Sequence, residues 1–242
     1  MRIDSKLVHA GAAPEDFGGA GVLPIVRSTI FQHVPDAGYH EILYPRLSTI
    51  PGQVHAGRAI AAIESAEAGL VTASGMAAIS TALLATLGQG GHLIAHRSLY
   101  GGTRSLCATD LPAMGHQVSF VDATEPSGWD QAVRPNSRAI YVEAMTNPML
   151  EIADHRAVIE LARAHGLVSM IDATFATPIN FRPIELGYDL VLHSATKYLN
   201  GHSDVVAGAI AGSADRVGRI KGLLDHLGGC IDPQAAYLLL RG

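Results

Sequence analysis

"DLVLHSATKYLNGHSD", residues 189–204, decides how the chain is read. Asp189 to Leu192 is a short apolar run with the length of a buried strand. It breaks at once into His193, Ser194, Ala195 and Thr196, then Lys197, with glycine following at 201. That pattern sets two hydroxyls and an amine just past a strand end. Similar apolar runs occur at 69–73 (GLVTA), 91–96 (GHLIAH), 117–122 (QVSFVD), 138–144 (RAIYVEA), 167–172 (LVSMID) and 205–212 (VVAGAIAG). Helical patterns fill several of the gaps. "SGMAAISTALLATLG" is an apolar helix, and "DHRAVIELARAHG" is amphipathic, with Asp154 near its start and Gly166 just after it. Strand-length apolar runs alternating with helices are the mark of βαβ units in an α/β fold. The sheet is then mostly parallel, with helices on both faces. Residues 1–60 are rich in Gly, Pro and Ala and read as an extended arm with a short helix, leaving 61–242 to carry the sheet.

Composition narrows the function classes. The 242 residues are 48% hydrophobic, enough for a sizeable core. Net charge is −5 and the 17 Lys and Arg form no runs, which argues against nucleic acid and anionic membrane as partners. No apolar stretch has the length of a membrane span. The two cysteines, Cys107 and Cys230, offer neither a disulfide framework nor a zinc spacing, so a reducing, cytoplasmic setting fits. Twelve histidines invite a metal, but none sits at a ligand spacing; His92 and His96 only share one face of a strand. No Gly-x-Gly-x-x-Gly follows a first strand, which counts against a nucleotide-binding oxidoreductase.

In open α/β sheets ligands collect at the carboxyl ends of the strands. After the first apolar run come Ser74, Gly75 and Met76, opening a helix whose N–H groups and dipole suit a phosphate; taken alone, Ser-Gly is only a cap. Asp172 closes "LVSMID", where a carboxylate caps, binds metal or pairs with a cation. Lys197 by itself reads as a surface lysine. Together the three describe a pocket for pyridoxal 5'-phosphate (PLP). That cofactor needs an amine for its aldehyde, an anion for its ring nitrogen and donors for its phosphate.

The stretches "HSATKYLNGHSDVVAGAI", "YVEAMTNPMLEIAD", "IDATFATP", "TASGMAAIS" and "SLYGGT" resemble the Cys/Met-metabolism family of PLP enzymes, from roughly Leu7 to Gly242. The family includes cystathionine synthases and lyases, methionine γ-lyase and O-acetylhomoserine sulfhydrylase. The resemblance implies the aspartate-aminotransferase-like fold, fold type I, with a seven-stranded large domain. It implies β- or γ-elimination, or γ-replacement, on a small amino acid carrying sulfur or an O-acyl group. By the same resemblance Lys197 is the Schiff-base lysine and proton shuttle, desolvated enough to act near neutral pH. Ser194, Thr196 and the N–H groups of Gly75 and Met76 hold the phosphate. Asp172 pairs with the ring nitrogen. Tyr100 stacks on the ring and serves as base or acid. Asn147 bonds the ring hydroxyl, with Glu143 close by. Tyr44 and Arg46 reach the phosphate of a neighbouring subunit, so a dimer or tetramer is expected, with the arm as an interface device. Blander roles stand beside these: Tyr44 as core packing, Tyr100 as an interface aromatic, Asn147 as a turn residue before Pro148.

The sequence departs from the family pattern in places. Ala173 stands where the family has asparagine, "YPRLSTIPGQ" replaces its Asn-Pro-Thr, and Gly102 occupies the methionine γ-lyase cysteine position. Arg104 is displaced by one residue and receives no role. Family chains continue into a smaller C-terminal domain that carries the arginine for the substrate carboxylate. The expectation is that this domain is absent here. The alternative reading is then a fragment that binds the cofactor or a partner chain without catalysis.

Overall fold

Apolar runs of strand length bounded by glycine and polar residues become strands, and each of the seven runs does so. The computed structural model describes residues 1–11, 17–32 and 38–242. The strands are β1 (Ala68–Thr72), β2 (His92–His96), β3 (Gln117–Val121), β4 (Ser137–Glu143), β5 (Val168–Asp172), β6 (Leu190–His193) and β7 (Gly208–Gly212). They form one sheet in the order β1-β7-β6-β5-β4-β2-β3. Strands β2 to β6 pair in parallel, and β1 runs antiparallel to β7. Every residue of β2, β6 and β7 is buried, which is why these strands read as continuous apolar runs rather than alternating ones. The longer helices are α1 (Ile3–His9), α2 (Pro51–Glu64), α3 (Gly75–Leu87), α4 (Gly101–Ser105), α5 (His155–His165), α6 (Ala214–Leu227) and α7 (Pro233–Arg241). Among the described residues no helix is long and apolar enough to cross a membrane.

The chain divides into two compact units, Met1–Ala78 with His193–Gly242, and Ile79–Leu192. In the first, α2 lies directly on β1. A Cβ on Gly57 would sit 2.5 Å from the Gly69 carbonyl oxygen, and one on Gly69 only 2.2 Å from that of Gly57. Backbone therefore rests on backbone, and the apolar stripe Ala56, Ile60, Ala61 and Ile63 of α2 is buried. This helix runs across residue 60, into the stretch read as arm; positions 12–16 and 33–37 of that arm lie outside the described residues. Pro51 in the first turn, where a proline N–H is not needed, explains how a Gly/Pro-rich segment still opens a helix. Helices α6 and α7 start on side-chain caps, Ser213 accepting from Arg216 N–H and Asp232 from Gln234 N–H.

The second unit holds the parallel strands, β2 to β5 whole and β6 up to Leu192. Helix α5 is capped by Asp154, which accepts the Ala157 N–H at 3.0 Å, and closes on Gly166 in the left-handed region. His92 lies at the start of β2 and ties it to both neighbours: Nδ1 meets the Ser137 hydroxyl at 2.7 Å and Nε2 the Ser119 hydroxyl at 2.9 Å. Burial, and then the nearby Arg134, push its pKa down to about 4, so the ring is a neutral staple at ordinary pH. Cys107 is buried, its thiol pushed up to about 12 by burial, which leaves it unreactive.

Gly69→Ala forces α2 away from β1. The expected outcome is a loss of about 1–3 kcal/mol, typical of overpacking, read as a lower urea midpoint at unchanged slope. An unchanged midpoint overturns the close backbone contact.

Candidate functional site

In the first unit the end of β1 delivers the start of α3. Ser74 caps that helix, its hydroxyl accepting the Ala77 N–H at 3.0 Å. Gly75 and Met76 are then its first two residues, at positions whose N–H groups find no acceptor within a helix. The other wall is Ser194. A Cβ on Gly75 would lie 2.7 Å from the Ser194 Cβ and 2.9 Å from its Cα, so only glycine allows the helix start to close on it. N–H donors, a helix dipole and a hydroxyl thus converge where an anion is favoured.

The turn that follows carries the lysine. Lys197 N–H donates to Ser194 O at 3.1 Å, and Gly201 N–H donates to Lys197 O at 2.9 Å. Thr196 clamps the turn to the residue before β7: its hydroxyl donates to Ala207 O at 3.1 Å and accepts the Ala207 N–H at 3.0 Å. The single hydroxyl proton of Thr196 is directed at a carbonyl, so this side chain serves the turn, and donation to a phosphate requires it to rotate. Further on, buried Asn200 donates to Asp204 at 3.0 Å, and Arg241 at the end of α7 donates to the same carboxylate at 2.9 Å. Lys197 itself is exposed. Within its own chain the amine is therefore accessible.

Tyr44 and Arg46 sit at a 3₁₀ turn, Pro45–Leu47, of the first unit. The Arg46 guanidinium donates to Asp225 O at 2.6 Å and to the Tyr39 hydroxyl at 3.0 Å, and stands 5.2 Å from the Tyr44 ring centroid. These contacts hold the pair to its own chain.

In the second unit, register places Glu143 opposite Asp172 at the carboxyl ends of β4 and β5. Asp172 is 8% exposed. One of its oxygens accepts from the Thr174 N–H at 2.9 Å and hydroxyl at 2.5 Å; the other faces the Tyr141 hydroxyl at 3.5 Å. Burial, then the Asp172 and Glu143 charges, push the Tyr141 phenol well up, so it stays a donor. Glu143 accepts the Tyr100 N–H at 2.6 Å and also the Asn147 N–H. One buried carboxylate therefore fixes the backbone of two expected site residues. Tyr100 is half exposed, at the start of α4, and Asn147 is exposed. Arg104 lies over the Phe120 ring at 3.5 Å and is committed to packing there.

The sequence reading did not reach Thr174 or Tyr141. The first had a signal, since Asp-x-Thr is a common local bonding pattern. Tyr141 had none, because its meeting with Asp172 is a property of strand pairing. Each unit's donor set fits PLP chemistry: the first supplies an anion cradle too close for any side chain on Gly75, plus an accessible amine. The second supplies a buried, oriented carboxylate.

Comparison with known proteins agrees. Residues 4–242 match the family described as Cys/Met metabolism PLP-dependent enzyme. A probable cystathionine gamma-synthase of Herpetosiphon aurantiacus is 38% identical over 98% of the chain and 74% of its own length. A cystathionine gamma-lyase of Bacillus subtilis is 35% identical over 100% of the chain and 64% of its own length. The crystal structure of a Lactobacillus plantarum cystathionine gamma-lyase complexed with L-serine superposes with a TM-score of 0.93 at 36% identity. It matches all of the chain, which spans 63% of that protein.

Burial first, and then the Asp172 charge, raise the Glu143 pKa from 4.5 to about 7 against the pull of its two N–H bonds. A raised acid favours the fold in its protonated form. Its contribution is full below about 4.5 and is lost as pH rises through about 7. In Glu143→Gln the fall in urea-unfolding free energy between pH 5 and pH 8 is expected to shrink by something of the order of 3 kcal/mol. Equal pH slopes in both proteins overturn this assignment.

Proposed function

Because the chain belongs to the Cys/Met-metabolism PLP-dependent enzymes, we propose that it binds PLP through Lys197 and serves β- or γ-elimination, or γ-replacement, on amino acids carrying a sulfur or O-acyl substituent. One observation carries this reading: Lys197 sits on a turn whose first residue, Ser194, closes on a glycine at a helix N-terminus. When bound, the cofactor supplies an aldehyde for an amine and a ring that accepts the electron pair left by a broken substrate bond.

The chain's own residues have separate tasks. In the first unit Ser194 and the N–H groups of Gly75 and Met76 bind the phosphate, and Thr196 holds the turn that aims Lys197. The Lys197 Nζ holds the cofactor and then takes up the substrate α-proton. In the second unit Asp172 faces the ring nitrogen as an anion, oriented by Thr174 and Tyr141. Tyr100, its backbone pinned by Glu143, stacks on the ring and passes a proton to the leaving group. Asn147 meets the ring hydroxyl. The family likeness assigns both sets to one cofactor. Tyr44 and Arg46 complete a neighbouring copy's phosphate site, for which Arg46 gives up Tyr39 or Asp225; the chain then works as a dimer or tetramer. The names of the relatives support cystathionine-type substrates. A second reading, binding without turnover, is favoured by the exposure of Lys197 and Tyr100 in the chain.

Adding PLP, reducing with borohydride and mapping peptides is expected to label Lys197. Lys197→Ala loses the label and, if cystathionine or O-acylhomoserine is turned over, at least roughly a thousandfold in rate. Asp172→Asn keeps the label but loses about a hundredfold in rate, since a neutral amide no longer holds the ring proton. Label elsewhere overturns the proposal; label at Lys197 with no turnover on any substrate selects the second reading.

A further inference from the structure

Glu64 and His193 have no part in the roles assigned above. Glu64 is the last residue of α2, and His193 is the last residue of β6, next to Ser194. The His193 Nε2 and Glu64 Oε1 are 2.5 Å apart, and both side chains are 0% exposed. Such a pair is a poor way to stabilise a core. Two polar groups lose their water, and apolar side chains of similar volume often do as well or better in their place. What an apolar pair lacks is direction. A hydrogen bond fixes the orientation of the imidazole, and with it the backbone of the strand's final residue.

That direction matters because of what α2 already holds. Through Gly57 and Gly69 it lies in backbone contact with β1. β1 leads through Ser74 into Gly75, one wall of the cradle. Through Glu64 the same helix holds His193, one peptide bond from Ser194, the other wall. Both walls therefore hang from one helix, and they meet so closely that a Cβ on Gly75 would lie 2.7 Å from that of Ser194.

We propose that Glu64 and His193 form a positioning dyad for the phosphate cradle, holding Ser194 against the start of α3 and so setting the affinity for the cofactor's phosphate. The dyad touches neither cofactor nor substrate. The inference rests on the cofactor reading above and deepens it.

The test measures PLP bound to the whole chain by equilibrium dialysis, with inorganic phosphate as competitor, and urea midpoints of the same proteins. The variants are Glu64→Gln, His193→Asn and the double variant Glu64→Leu/His193→Met. The single variants are expected to bind PLP about tenfold or more weakly, the scale seen when outer partners of a bound group are removed. They also strand a buried partner, so both lose stability. The double variant separates the two effects. Its midpoint returns to or beyond that of wild type, while PLP stays about tenfold weaker and phosphate competes at higher concentration. If the double variant regains both stability and affinity, the pair is only packing and the dyad fails while the cofactor reading stands. If wild type itself binds no PLP, the cofactor reading has failed and the dyad goes with it.

Discussion

Burial on both faces of the sheet is the constraint from which the rest follows. A strand covered on both sides has room for apolar side chains along its length and for polar ones where it begins or ends. His92 and Ser137 sit at strand beginnings and are joined to each other. Glu143, Asp172 and His193 sit at strand ends and each is bonded. Packing thus displaces polar chemistry to the strand ends before any question of function arises. Within the second unit parallel pairing keeps the ends of β4 and β5 on one side, and register makes Glu143 and Asp172 neighbours.

The structure sorts these polar groups, unit by unit, by how much they are allowed to move. Glu143, Asp172 and the Glu64–His193 pair are buried and bonded to backbone or to another side chain. Ser194 and Thr196 are half-buried and tied into a turn. Lys197 and Tyr100 are exposed. A group that must meet an incoming aldehyde or amine has to be reachable, and its long side chain carries rotamer freedom as a consequence. The residues beneath it supply the precision that it lacks. Glu143 is the clearest case, a carboxylate raised toward neutrality by burial that holds the backbones of two residues rather than acting on a ligand itself.

Much of this was legible in the sequence, and the parts that were not share a cause. All seven strands could be read because their apolar runs are local signals bounded by glycine and polar residues. Helix α5 announced both of its ends, Asp154 and Gly166, for the same reason. The site's chemical identities were also local: a strand end, a cap, a lysine among hydroxyls. Helix α2 was hidden within a Gly/Pro-rich stretch whose helical start depends on Pro51 and whose Gly57 serves contact with β1. Tyr141 against Asp172, Glu143 against Tyr100 and Glu64 against His193 were invisible because each joins residues at least 31 positions apart. The exposure of Lys197 matches what the residue suggests taken alone, a surface lysine in a loop.

Thr196 shows how a motif and its physical use separate. The likeness reads Ser-x-Thr-Lys as two hydroxyls aimed at one phosphate. In the chain the Thr196 hydroxyl has its proton on the Ala207 carbonyl and takes the Ala207 N–H in return, which closes the loop between Lys197 and β7. A β-branched residue is suited to that task because its χ1 is stiff. Serine in its place would keep the donor and lose part of the rigidity, so the residue type is explained as much by the turn as by a phosphate. In the proposed cofactor reading the anion's direct partners are the helix start and Ser194, and glycine at position 75 is what lets these two approach so closely. What the chain itself fixes is the turn that carries Lys197, closed by Thr196 on Ala207.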